Sequence, residues 1–150
     1  KMDSKKVDSV WNEFADLKNV ELKFQERNRN QIQQSNYLVN YTDDIAIYSF
    51  IGILTKSDDG TSSDKTSIII EFLARLAIDN FELEVKSKFK SFFSSSNDLE
   101  KIISKSLRKL NGKNFTFKEN FIRIDVDYIF SSKEAFEIIT DLVSKIKNIH

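Results

Sequence analysis

The chain has no cysteine, no proline, one histidine and three glycines among its 150 residues. Without cysteine there is no disulfide, no thiol nucleophile, no iron–sulfur cluster and no thiolate zinc site. The one histidine, His150, is the last residue, so histidine acid–base catalysis, catalytic triads and His-ligated metals lack their usual side chain. Three glycines do not supply a phosphate-cradling loop. Long apolar runs are missing too, since none approaches the ~18 residues of a membrane span. The stretch 1–18 is charged throughout, without the apolar centre of a signal peptide. The expected location is therefore cytoplasmic, with no membrane. Charge of one sign is the last absence. Lysine and arginine total 23 against 23 aspartates and glutamates, so there is none of the basic excess of a dedicated phosphate binder. Carboxylates, lysines and hydroxyls are what remain for any chemistry, and no cofactor is expected.

What is present is a globular composition, 40% hydrophobic and 31% charged, with thirteen phenylalanines to build an aromatic core. The length suits one domain over residues 1–150, and neither a repeat nor a composition break divides it. Val7, Val10, Trp11, Phe14 and Leu17 recur at helical spacing, so 4–18 reads as an amphipathic helix. Val20, Leu22 and Phe24 alternate with charges, as in a half-buried strand. Gln25–Asn36 is polar and reads as a loop or as an extension of a solvated element. The pattern returns to β at Tyr37–Tyr41, and Thr42-Asp43-Asp44 is turn chemistry. Ile45–Leu54 is apolar on both faces, as expected of a strand covered on both sides.

Lys56–Lys65 reads as a mobile surface loop around Asp58-Asp59-Gly60. Residues 66–79 fit two templates, a helix through Ile68, Ile69, Phe72, Leu73 and Leu76, or a strand through Ile70, Phe72, Ala74, Leu76 and Ile78. The helix-forming Leu and Ala favour the helix. Phe81–Phe89 alternates cleanly, with Glu82, Glu84, Lys86, Lys88 and Lys90 on the wet side. Asn97 with Glu100 predicts a capped helix through Leu110, and Gly112 is placed to stop it. A hairpin follows, turning at Lys118-Glu119-Asn120, and Ser131 with Glu134 predicts a second capping box before the last helix. The expectation is an α+β fold, with a mainly antiparallel sheet of about four to six strands and three or four helices on one face or at its ends.

Several short motifs carry chemistry elsewhere. Tyr41-Thr42-Asp43-Asp44 resembles the Tyr-x-Asp-Asp hairpin of reverse transcriptases, a resemblance that implies metal-binding aspartates. Too little chain precedes Asp43 to build a polymerase palm, and a turn whose aspartates satisfy its own backbone explains the same residues. Glu84-Val85-Lys86 resembles the Glu-x-Lys element of the PD-(D/E)xK nucleases, which implies a Mg²⁺-binding glutamate and a lysine that polarises water, with Asp79 or Asp64 as the further acid. Alternating charges on a wet strand give the same pattern. Asp125 and Asp127 share a strand face with Arg123 and read as a surface ion pair more readily than as a metal site. Lys101, Lys105 and Arg108 form a basic helical stripe with Lys109 and Lys113 nearby, suited to phosphates or an acidic partner. Phe92-Phe93 is a candidate apolar contact. Ser94-Ser95-Ser96 reads as a helix approach rather than a nucleophile turn.

Since no constellation activates a nucleophile, the expected function is a non-catalytic protein–protein interaction domain, with another protein as partner. Binding is expected at Lys101, Lys105, Arg108, Phe92 and Phe93. The alternatives are a Mg-dependent nuclease using Glu84 and Lys86, and a nucleic-acid-binding module using the Lys101/Lys105/Arg108 stripe. The tail order of strand, helix, hairpin and helix is similar to small secretion-chaperone folds, which is a likeness of element order alone.

Overall fold

Helix α1 (Ser4–Leu17) buries Val7, Trp11, Phe14 and Ala15 in a computed structural model that describes residues 4–57, 62–84 and 98–149. The strands that follow are β1 (Lys23–Arg29), β2 (Ile32–Thr42), β3 (Ala46–Ser57), β4 (Ser62–Phe72) and β5 (Phe81–Glu84). Helix α2 (Asp98–Lys109), the hairpin β6 (Asn114–Lys118) and β7 (Phe121–Val126), and helix α3 (Lys133–Ile149) complete the order. The described strands form one antiparallel sheet, β1-β2-β3-β4-β7-β6-β5, so the α+β antiparallel expectation holds. Seven strands exceed the four to six expected, and two segments differ from the sequence reading.

The first is 66–79, where the helix expectation is corrected. β4 runs to Phe72, and Leu73–Asn80 is irregular. Ile68-Ile69-Ile70 is a β-branched run that packs well on a pleated surface. Thr66, Ile68, Ile70 and Phe72 are buried on one side, while Ser67, Ile69 and Glu71 point to the other. Because this strand sits mid-sheet with apolar residues on both faces, its period-2 signal is blurred. The second is Gln25–Asn36, which forms most of the β1–β2 hairpin: the half-buried strand expected over Val20–Phe24 is instead Lys23–Arg29, and every residue of it is exposed. Its strand character comes from backbone pairing, which leaves no hydrophobic trace. The 56–65 loop is likewise shorter than expected, since Lys56 pairs with Ser62 and only 58–61 lie outside the described residues.

The scarcity of glycine is met by asparagine. Among the described non-glycine residues, Asn19, Asn30, Gln31, Asn111, Glu119 and Asn120 have positive φ. Asn30-Gln31 (φ 51°, 64°) and Glu119-Asn120 (52°, 73°) are two-residue turns of the type whose twist matches a hairpin. Asn111 takes the left-handed position after α2, and the Gly112 amide donates to the Leu107 carbonyl at 2.7 Å. The stop thus begins one residue before the glycine that the sequence points to. Asn19 ends α1 the same way, with the Val20 amide donating to the Ala15 carbonyl. The cap of α3 is Ser132, whose Oγ accepts from the Ala135 amide at 3.3 Å, one residue later than Ser131. Asn97 lies outside the described residues.

The helices share one face of the sheet. Trp11 packs on Tyr37, Phe14 on Tyr41 and Phe50, and Phe136 of α3 on Trp11, Phe14, Phe50 and Phe130, while α2 packs on α3. All four tyrosines of the chain belong to this side of the molecule, and burial raises the ionisation of each above its ordinary value. Burial and then the Asp8 carboxylate push Tyr37 up to about 12, and Asp43 adds to the rise at Tyr41 and Tyr48. The neutral phenols therefore contribute stability that is complete below the unfolded value of 10.0 and is lost as pH rises through the folded values. Tyrosinate absorbance is expected to appear in one cooperative step together with loss of circular dichroism. Ionisation of even one tyrosine near pH 10 with the native spectrum intact would contradict it.

Candidate functional site

Strand alternation that fills one face of the sheet with core residues decides what the other face carries. Register across the central strands sets Leu38 beside Ile51, then Ser67 and Asp125. One row along lie Asn40, Ser49, Ile69 and Arg123, and a row further Thr42, Ile47, Glu71 and Phe121. In the opposite direction Asn36, Ile53 and Lys65 are paired. Leu38, Ile51, Ile53 and Ile69 are half-buried, and Ile47 and Phe121 are 41% and 42% exposed. Among the described residues no helix or strand lies over this face. Ile45–Leu54 is thus apolar on both sides, as the sequence indicates, but the described helices cover only one of them.

The described residues at the two edges of this face differ in charge. β1 places Lys23, Arg27 and Arg29 on it, opposite Leu38, Gln34 and Ile32. β5 places Glu82 and Glu84 on it, opposite Thr116 and Asn114. Between centre and acidic edge, Asp125 is neutralised locally. Its carboxylate accepts from Ser67 Oγ at 2.6 Å and Arg123 Nε at 3.1 Å, with Lys65 Nζ at 3.6 Å. Burial alone would raise its ionisation, but the Ser67 and Arg123 hydrogen bonds and the two cations outweigh that and hold it below the usual carboxylate range. The Arg123–Asp125 surface pair read from the sequence is formed, whereas Asp127 pairs elsewhere, with Lys113 at 3.0 Å.

Asp43 of the Tyr-x-Asp-Asp segment is a turn residue. Its Oδ1 accepts from the Ile45 and Ala46 amides at 2.8 and 2.9 Å, and its Oδ2 accepts from the Tyr48 hydroxyl at 2.9 Å. Glu84 ends β5, exposed on the open face, and Asp79 lies in the irregular chain before that strand. Asp64 is three strands away on β4, about 14 Å at the usual strand spacing, and in register with Leu54 it points to the helix side. Val85 and Lys86 lie outside the described residues. Among the described residues, no group of three acidic or histidine side chains is placed to hold a metal.

The basic stripe is a real surface feature. Lys101, Lys105 and Arg108 are all exposed along the outer side of α2, opposite Ile103, Ser106 and Leu107. Phe92 and Phe93, with Lys86, Lys88, Lys90 and Ser94–Ser96, fall outside the described residues. Among the described residues the helix side carries several clefts, two of which have apolar residues in their floors. One of about 360 Å³ lies between the start of α1 and β1–β3, lined by Asp8, Phe24, Glu26, Tyr37 and Lys56. The other, about 320 Å³ between α1 and α3, is floored by Val10, Phe14, Leu17 and Phe136. In both, acidic and basic side chains are mixed at the rim, which gives no preference for a charged ligand. No described helix is long and apolar enough to cross a membrane.

The residues that sequence reasoning missed are therefore Leu38, Ile47, Ile51, Ile53 and Ile69. Their signal is present in the doubly apolar pattern of β3, but the register that joins them into one band is a property of the sheet. Comparison with family models, curated proteins and solved structures finds no match.

Proposed function

We propose that the chain is a non-catalytic protein–protein interaction domain that works through the open face of its sheet. The observation that carries this reading is the aliphatic band Leu38, Ile51, Ile53 and Ile69, half-covered by its own sheet and by no described helix. Completing its burial is favourable by roughly 25 cal/mol per Å² of apolar surface, and an antiparallel sheet that faces only water normally turns polar residues outward. An adaptor, inhibitor, immunity or chaperone-like role needs only such a shaped surface.

The test is a comparison of wild type with Ile51→Lys in affinity capture from the native host. Wild type is expected to retain proteins that Ile51→Lys, folded by circular dichroism, releases. Identical capture by both would remove the sheet face as the binding surface. Cleavage of DNA or RNA with Mg²⁺ that disappears in Glu84→Ala would make binding alone an insufficient account. A second reading, nucleic-acid binding, draws on the shared exposure of Lys101, Lys105 and Arg108. It requires affinity that falls steeply with salt.

A further inference from the structure

β1 pairs with β2 on one side only and ends the described sheet. Its ladder runs through all seven residues, Lys23 to Arg29, without a bulge, and the chain has no proline to interrupt it. Proteins ordinarily blunt such an edge with a bulge, a proline or a covering element, because its unpaired amides and carbonyls accept another strand. Which groups are unpaired follows from the turn. Asn30-Gln31 joins Arg29 to Ile32, so these two residues exchange their backbone bonds. Alternation then turns the amides and carbonyls of Lys23, Gln25, Arg27 and Arg29 inward to β2. Those of Phe24, Glu26 and Asn28 face outward, toward the free edge. The side chains beside that edge carry charge of one sign. Lys23, Arg27 and Arg29 stand on the open face, where the residues of β2 and β3 are all uncharged. None of the three forms an ion pair among the described residues, and Arg27 donates only to the neutral Gln25 carboxamide, at 3.5 Å. On the other side of the strand Phe24 leans on Tyr37 and is still 48% exposed.

We infer that the β1 edge binds an extended acidic peptide as an added strand, antiparallel to β1. Strand addition to a free edge is a recurrent mode of peptide recognition, in which backbone bonds supply affinity and alternate side chains supply specificity. Here the register dictates the side chains. The first, third and seventh peptide residues lie across from Arg29, Arg27 and Lys23 and are acidic. The sixth lies across from Phe24 and is apolar, covering the exposed ring. Opposite charges directly across a strand pair stabilise it, and like charges do the reverse. The same rule excludes β1 of a second copy, because self-pairing about Glu26 sets Lys23 across from Arg29. The inference rests on the reading of the chain as an interaction domain and adds the place and chemistry of a partner; it makes no use of the aliphatic band.

The probe is the peptide Glu-Thr-Glu-Thr-Thr-Val-Glu, capped at both ends and titrated into the protein at low and high salt, with binding read from the protein amides by NMR. Wild type is expected to bind, more weakly at high salt, with the largest shifts at the Phe24, Glu26 and Asn28 amides. Arg27→Glu with Arg29→Glu is expected to weaken binding about tenfold or more, because two favourable cross-strand pairs become unfavourable. The same variant is expected to bind the peptide with lysine at its first and third positions, and that recovery also proves that it folds. N-methylation of the fourth peptide residue, whose amide points at Glu26, is expected to abolish binding. N-methylation of the fifth, whose amide points away from β1, is expected to be tolerated. A wild type that does not bind at low salt overturns the proposal, as does a folded charge-reversed variant that binds the acidic peptide as well as wild type does. Binding that ignores both methylations means that the cations alone hold the peptide, as they would hold the phosphates of a nucleic acid, and removes the added strand. Equal loss from both methylations removes it too. Capture of a host protein through Ile51 without binding of the peptide removes the edge and leaves the interaction reading standing. Peptide binding with identical capture by wild type and Ile51→Lys leaves the edge and removes the sheet face.

Discussion

Trp11→Ala is expected to cost about 3–5 kcal/mol of folding stability, the range for deleting a large buried aromatic. Trp11 is the only tryptophan and is fully buried. Its ring meets Phe136 edge-on at 5.0 Å between centroids and Tyr37 at 5.7 Å, so it joins α1, α3 and β2 at one point. Its indole Nε1 donates to the Phe130 carbonyl at 2.9 Å, across 119 residues of sequence. Alanine would leave a cavity among rings held by other contacts, which limits collapse, and would leave a buried carbonyl without its donor. Trp11→Phe separates the two effects. It keeps most of the ring but strands the carbonyl, for about 1–3 kcal/mol. Urea unfolding followed by circular dichroism measures both, since the alanine variant has no indole fluorescence. For a chain of this size the alanine cost corresponds to a Tm lower by on the order of 10 °C. A cost below about 1 kcal/mol would mean that α1 is not anchored to the sheet through this residue.

Helical spacing makes α1 and α3 legible in the sequence, because Trp11, Phe14, Ile139 and Val143 bury one side only. The β6–β7 hairpin is legible for a similar reason, with a turn of Glu119-Asn120 between two alternating strands. The elements that escape a sequence reading are those whose residues do not contrast. β1 is exposed on both sides, and in β4 Ile69 sits on the open face between Ser67 and Glu71, next in sequence to the buried Ile68 and Ile70. In both the contrast between faces is weak where it counts, so period 2 is blurred and local propensity misleads. The order of strands is beyond local reading as well. β4 pairs with β7 across more than fifty residues, and Asn120 fastens the irregular chain after β4. Its side chain donates to the Phe72 and Ala74 carbonyls and accepts from the Leu76 amide. The basic stripe of α2 is legible from spacing alone, since Lys101, Lys105 and Arg108 need only a helix to align. The aliphatic band is not, because Leu38, Ile51 and Ile69 come from three strands and meet only through register.

Gly52→Val is expected to be the most damaging single addition of atoms to the sheet. Gly52 lies in β3 with Tyr37 on one flank and Thr66 on the other, and its missing side chain would point at the helices. A Cβ there would meet Trp11 Cζ2 at 2.6 Å and Ile129 Cδ1 at 2.9 Å, well inside van der Waals contact. The Ile129 methyl can turn aside although its backbone is fixed, but the indole does not yield cheaply. The indole is held by its bond to Phe130, and the backbone on either side of Ile129 is held by Thr66, which donates to the Tyr128 carbonyl at 2.8 Å and accepts from the Phe130 amide at 2.9 Å. Two effects oppose each other. Replacing a strand glycine recovers roughly 0.5–1 kcal/mol of backbone entropy, and valine favours strands. Overpacking a filled core costs typically 1–3 kcal/mol and occasionally more. The clash wins because the first added carbon already overlaps the indole and valine adds two more. Gly52→Ala is expected to cost about 1–3 kcal/mol, and Gly52→Val about 3 kcal/mol or more. The cause is checked by a double-mutant cycle. Trp11→Phe removes the ring atoms that the new Cβ meets, so Gly52→Ala should cost less in that background than in wild type, by more than about 0.5 kcal/mol. Additive costs, or a Gly52→Val protein as stable as wild type, would show that the indole does not rest against β3.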